Sequence, residues 1–128
     1  MQAFRDAIQQ GRATGDADEV IALLADDIVF RSPVVHSPYR GRAEVEPLLR
    51  AVVRVFDRFE FVRELAGADS ADHALVFRAR IGDRDVEGCD FMHVNEAGLI
   101  DELYVMVRPL SGAMALAEAM KRQLAEHP

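Results

Sequence analysis

The chain has 128 residues, 50% of them hydrophobic and 29% charged, the composition of an ordinary globular fold long enough to bury a core without disulfide staples. Its 15 basic and 22 acidic side chains leave a net charge of −7, which argues against nucleic acid and membrane surfaces as partners, since both select Lys and Arg patches. The lone Cys89 excludes an internal disulfide. No secretory leader is legible and no apolar run reaches the roughly 20 residues that span a bilayer, so a cytoplasmic protein is expected.

No repeat, low-complexity tract or long linker interrupts the sequence, so residues 1–128 read as one domain. Phe4, Ala7, Ile8 and Gly11 fall on one face of a first helix, which Gly15 ends. Asp16 and Glu19 have the spacing of a capping box for a short second helix carrying Val20, Ile21, Leu23 and Leu24 and ending at Asp26-Asp27. Residues 28–32 read as a strand and residues 33–40, with two prolines, as a loop. From Arg42 a third helix presents Val45, Leu48, Leu49, Val52, Val53 and Phe56 on its apolar side, with Pro47 placed in its first turn. After Asp57 the period changes to two. Phe59 and Phe61 alternate with charges, and Leu75, Phe77, Ala79 and Ile81 share one strand face. Gly82-Asp83 marks a hairpin; residues 86–94 and 99–108 are the last two strands, joined by the turn Asn95-Glu96-Ala97-Gly98. A final helix follows Pro109 and Ser111, with Ala113, Leu116, Ala117, Met120 and Leu124 in one stripe. Helices first and consecutive hairpins afterwards predict an α+β protein.

Four stretches carry a family resemblance: Gly15-Asp16; Ala25-Asp26-Asp27-Ile28-Val29-Phe30; Ser32-Pro33 with Tyr39-Arg40-Gly41-Arg42; and residues 90–100, Asp90-Phe91-Met92-His93-Val94-Asn95-Glu96-Ala97-Gly98-Leu99-Ile100. In this order and spacing the chain resembles the SnoaL-like, nuclear transport factor 2-like superfamily. The resemblance implies a cone: a strongly curved antiparallel or mixed sheet packed against three helices from the N-terminal half, plus a C-terminal helix, with a pocket inside. The fold hosts isomerases, dehydratases, cyclases, epoxide hydrolases and non-catalytic binders, so function has to be argued from the site.

Strand parity isolates one residue. Val86, Gly88, Asp90, Met92 and Val94 point one way along their strand, and Asp90 is the only charged member of that set. If this is the concave face, desolvation raises the Asp90 pKa and can keep the acid neutral, fit to donate a hydrogen bond to a developing oxyanion. By the resemblance, Asp90 takes the place of the protonated oxyanion-hole aspartate of ketosteroid isomerases. The rest of that apparatus is missing. The general-base aspartate would fall on Ser32, the tyrosine donor on Ile8, and further pocket tyrosines on Leu24 and Leu49. Steroid isomerisation by that mechanism is therefore rejected.

Two further candidates stand beside Asp90. His36 lies in the Pro33–Pro38 loop and is a residue type suited to acid–base work, although a solvated loop histidine is the simpler reading. Ser32 shares parity with Ile28 and Phe30 and is read as a hydrogen-bonder, not a nucleophile, because no His–Asp pair is placed to activate it. The expected pocket is lined by Phe30, Leu49, Val53, Phe77, Met92, Leu103 and Val107. His36, His73, His93 and His127 do not fall at metal-ligand spacing, and neither a metal nor another cofactor is expected. The row Arg50, Arg54 and Arg58 reads as a solvated helix face paired with Glu44, Glu46 and Asp57. Val62, Val76, Arg78, Arg80, Phe91, Tyr104 and Met106 mix on the outer sheet face, the composition of an interface, and a homodimer through that face is expected. Met114, Leu116, Ala117, Met120 and Leu124 fit either a lid over the opening or ordinary packing. The expected function is binding of a small hydrophobic molecule in the internal pocket. The alternative is an isomerase, dehydratase or cyclase using Asp90 as acid or oxyanion donor.

Overall fold

The computed structural model describes residues 1–69 and 71–126. In chain order these form α1 (Gln2–Thr14), α2 (Asp18–Ile21), β1 (Leu24–Arg31), β2 (Tyr39–Arg40), α3 (Arg42–Val52), β3 (Asp57–Ala66), β4 (Asp72–Ile81), β5 (Arg84–Val94), β6 (Ile100–Arg108) and α4 (Leu110–Glu126). The six strands make one open, mixed sheet in the order β2-β1-β6-β5-β4-β3, with β1 parallel to β6 and every other pair antiparallel. The helices pack on one side, as an α+β fold requires for a sheet with one apolar face.

α1 buries Phe4, Ala7, Ile8 and Gly11, the face its periodicity predicts, and stops at Gly15, whose φ of 77° suits a residue without Cβ. The helix after it departs from expectation. Asp16 does not cap it: its carboxylate accepts from the Asp18 N–H at 2.9 Å in a local turn, and the cap position is Ala17. α2 covers only residues 18–21, and Leu24 already belongs to β1. Asp26 and Asp27 therefore lie inside a strand and do not end a helix. They are exposed where the β1–β6 register slips between Leu24 and Val29, and an irregularity of this kind tolerates residues that regular pairing disfavours.

α3 starts beside β1, where Arg42 donates to the Leu24 carbonyl at 2.6 Å and pairs with Glu46 at 3.2 Å. Pro47 is the sixth residue of α3, past the first turn where it was expected. The helix ends at Val52, and Val53 to Val55 continue as tight turns. The arginine row is also corrected. Arg50 pairs with Asp18 of α2 at 2.8 Å, Arg54 donates to the Gly15 carbonyl, and Arg58 has left the helix for β3. A partner on another element cannot be read from spacing along one helix.

The hairpins follow their turn residues. Gly82, at φ 60°, and Asp83 form a two-residue link between the paired Ile81 and Arg84. Asn95 accepts the Ala97 and Leu99 N–H groups on its side-chain oxygen, both at 3.0 Å, and Gly98 takes φ 81°. No helix among the described residues is long and apolar enough to cross a membrane.

Candidate functional site

β5 alternates as parity requires: Val86, Asp90 and Met92 are buried, while Glu87 and Phe91 are exposed. Asp90 sits between Leu75 of β4 and Val105 of β6. It is 8% exposed and is the buried charged residue among a core that is otherwise apolar.

Above it the helices do not close down on the sheet. They leave a cavity of about 410 Å3, which Asp90 borders. α1 contributes Phe4, Ile8 and Arg12, four residues apart on one face; α3 contributes Leu48, Leu49 and Val52. The floor is aromatic. Phe59 stacks on Phe77 with centroids 4.8 Å apart, and Phe56 meets the Phe77 edge at 5.6 Å. Phe77 lies over Gly88 of the neighbouring strand, where a Cβ would come within 2.3 Å of its ring. The glycine leaves the room that the ring occupies. α4 forms a further wall through Leu116, Ala117, Met120, Lys121 and Leu124, while Met114 points away and is exposed. Val34 and Val35, 40% and 42% exposed, stand at the loop side.

Among the described residues, Asp90 makes no hydrogen bond and no ion pair. Burial alone therefore acts on its carboxyl group and pushes its pKa up to about 7. Near neutral pH much of the population carries the proton and can donate it in a hydrogen bond. The other polar side chains on the wall are Arg12, Ser32, Tyr39 and Lys121.

The structure brings Asp90 and Ser32 to the same cavity. The Ser32 hydroxyl accepts from the Val34 N–H at 3.0 Å and the Val35 N–H at 3.3 Å, which fixes the loop and leaves its own hydrogen free to donate. His36 is exposed on that loop and does not border the cavity. Phe30, Leu49, Val53, Phe77 and Leu103 line the hollow, whereas Met92 and Val107 do not. Met92 packs into the core beside its partner Leu103, and Val107, opposite Gly88, does not border the cavity. Val105, between Leu103 and Val107, does line it, as do Arg12, Tyr39 and Lys121, none of which the sequence reading placed in the pocket. Parity signalled Val105, and the spacing Phe4–Ile8–Arg12 signalled Arg12.

His93 leaves the opposite face from Asp90 and hydrogen-bonds Asp101 at 2.6 Å, which raises its pKa. His127 lies outside the described residues. Among the described residues no group of three His, Cys, Asp or Glu side chains is gathered as a metal site would need.

A family model described as the SnoaL-like domain matches residues 1–103. Among solved structures, the chain is 40% identical to a steroid delta-isomerase from Pseudomonas aeruginosa, with a TM-score of 0.86, covering 98% of this chain and 94% of that one. It is 32% identical to an uncharacterised protein with a cystatin-like fold from Silicibacter pomeroyi, with a TM-score of 0.83, covering 98% of this chain and 90% of that one. An epoxide hydrolase/cyclase-like enzyme of pyran ring formation in the polyether salinomycin shares the fold at 19% identity, with a TM-score of 0.68, covering 84% of this chain and 88% of that one. No curated protein matches the chain.

Proposed function

The chain belongs to the SnoaL-like domain family, and we propose that it binds a small, largely apolar molecule in its cavity, the protonated Asp90 donating a hydrogen bond to a carbonyl or hydroxyl oxygen of the ligand. The observation that carries this reading is an acid without a protein partner facing an apolar hollow of about 410 Å3. A buried polar group left unsatisfied costs stability, and a ligand oxygen would supply the missing partner. The volume falls in the range of small-molecule sites, about 300–1,000 Å3. The reading takes residues 1–128 as one cytoplasmic domain. It also pairs two copies through the outer sheet face, where Val62, Phe91, Tyr104 and Met106 are all at least 39% exposed.

The 40% identity to a protein named a steroid delta-isomerase favours a second reading, catalysis. The family includes isomerases and cyclases. A neutral acid aimed at a carbonyl oxygen stabilises negative charge developing there. Moving a double bond also needs a base to take a proton from carbon, and the described cavity wall holds neither a second carboxylate nor a histidine. The second reading is therefore acid-assisted ring closure, in which Asp90 gives its proton to the leaving oxygen and recovers one from the attacking hydroxyl, with Ser32 as hydrogen-bond donor to the substrate.

Native mass spectrometry with a library of lipophilic carbonyl compounds, neutral and anionic, separates the two. Binding predicts retention of a compound unchanged, weakened about tenfold in Asp90→Leu, the worth of one hydrogen bond in a dry site. Conversion of a retained compound would establish the second reading. A wild-type protein that retains nothing refutes both.

A further inference from the structure

Two cations border the cavity, and among the described residues neither has a carboxylate at ion-pair distance. Arg12 ends the cavity-facing row of α1. Its guanidinium lies over the Phe59 ring, 5.6 Å from the centroid. Nε donates to the Phe56 carbonyl oxygen at 3.2 Å, and Nη2 donates to the same atom. A guanidinium has five N–H donors, so three are left for something else. Burial pushes the Arg12 pKa down, and Asp57, acting through space without reaching ion-pair distance, opposes that shift. Lys121 stands on α4 at the exposed rim of the same hollow.

The acid on the cavity wall is Asp90, and in its protonated form it contributes no charge. A protein with a net charge of −7 thus presents a cavity wall on which the charged side chains outside ion pairs, among the described residues, are positive. A purely neutral ligand would bury Arg12 further and leave it without a counter-ion, at a cost in desolvation. An anionic oxygen would take up the free donors in short, charge-assisted hydrogen bonds.

We propose that the ligand is an amphipathic anion, an apolar body carrying one carboxylate, with Arg12 receiving the carboxylate and Lys121 adding attraction at the rim. This rests on the ligand-binding reading above and adds the head group. The apolar body lies along Phe4, Ile8 and the aromatic floor, and any carbonyl or hydroxyl on it meets Asp90.

Octanoate and 1-octanol, matched in chain length, are the probes, titrated by isothermal calorimetry into wild type, Arg12→Gln and Lys121→Gln. Wild type should bind octanoate at least about tenfold more tightly than octanol. Arg12→Gln should erase that preference while octanol affinity stays within about twofold, and Lys121→Gln should weaken octanoate by a few-fold, as an exposed charge does. Lys121 is exposed, so its variant keeps the fold should Arg12→Gln unfold, and the acid–alcohol comparison needs no variant. Equal affinity for the two probes overturns the head-group assignment and leaves the ligand-binding reading standing. Equal losses for acid and alcohol in Arg12→Gln overturn it as well, and failure of wild type to bind either probe removes both.

Discussion

Replacing Asp90 with asparagine should stabilise the protein above neutral pH and leave it nearly unchanged in acid. Burial raises the Asp90 pKa from its ordinary 3.8 to about 7. Between those values the folded chain holds a proton that the unfolded chain has released, so stability falls as pH rises and levels off beyond about 7. A rise of roughly three pH units, at about 1.4 kcal/mol each, makes the carboxylate cost wild type about 4 kcal/mol at pH 8. Asparagine has nearly the same shape and never ionises, so it escapes that cost. Urea unfolding at pH 5 and pH 8 measures it. Wild type should lose about 2–3 kcal/mol more than the variant between those two conditions. The other titrating groups are common to both proteins and cancel in the difference. Parallel pH dependence in the two proteins would mean that Asp90 ionises as a wet carboxylate does, and the argument for a neutral donor would fail with it.

Gly88→Ala should destabilise by about 1–3 kcal/mol in urea, because the new Cβ would meet the Phe77 ring at 2.3 Å and the Met106 carbonyl oxygen at 2.7 Å; no loss would mean the ring is not pinned where it lies. His93 should titrate above its ordinary 6.5 by NMR, and Asp101→Asn should bring it down, since the Asp101 hydrogen bond is the chief cause of the rise. The stabilisation from that pair is present while the imidazole is protonated and fades as pH climbs past the raised value. Met106→Glu on the outer sheet face should shift sedimentation from dimer toward monomer without changing the cavity; a wild type that sediments as a monomer at high concentration removes the dimer.

Most of the architecture was legible because it rests on short-range periodicity. Phe4, Ala7, Ile8 and Gly11 repeat at helical spacing, and parity alone put Asp90 indoors. What parity cannot say is whether the space beyond an inward residue is filled. Met92, Leu103 and Val107 carry the same signature, yet only Leu103 borders the cavity, because emptiness depends on how far α3 and α4 stand off the sheet. Arg12 was missed for a different reason. A charged residue on an apolar row reads as an edge, and its inward placement depends on the Phe56 carbonyl and the Phe59 ring, more than forty residues away.

α4 shows why the family match leaves ligand choice open. The matched residues, 1–103, supply the acid, most of the sheet and the aromatic floor, but the helix that completes the hollow comes after them. Gly112 sets that helix against the sheet: a Cβ there would stand 2.5 Å from the Val86 side chain, so its absence permits close approach. Once α4 is seated at that end, helical spacing carries Leu116, Met120, Lys121 and Leu124 to the cavity wall. On the proposed reading, the polarity and length of the ligand then depend on a row of side chains that belongs to a different element from the sheet's acid. Substitutions along that row should retune which ligands bind while leaving the Asp90 titration where it is.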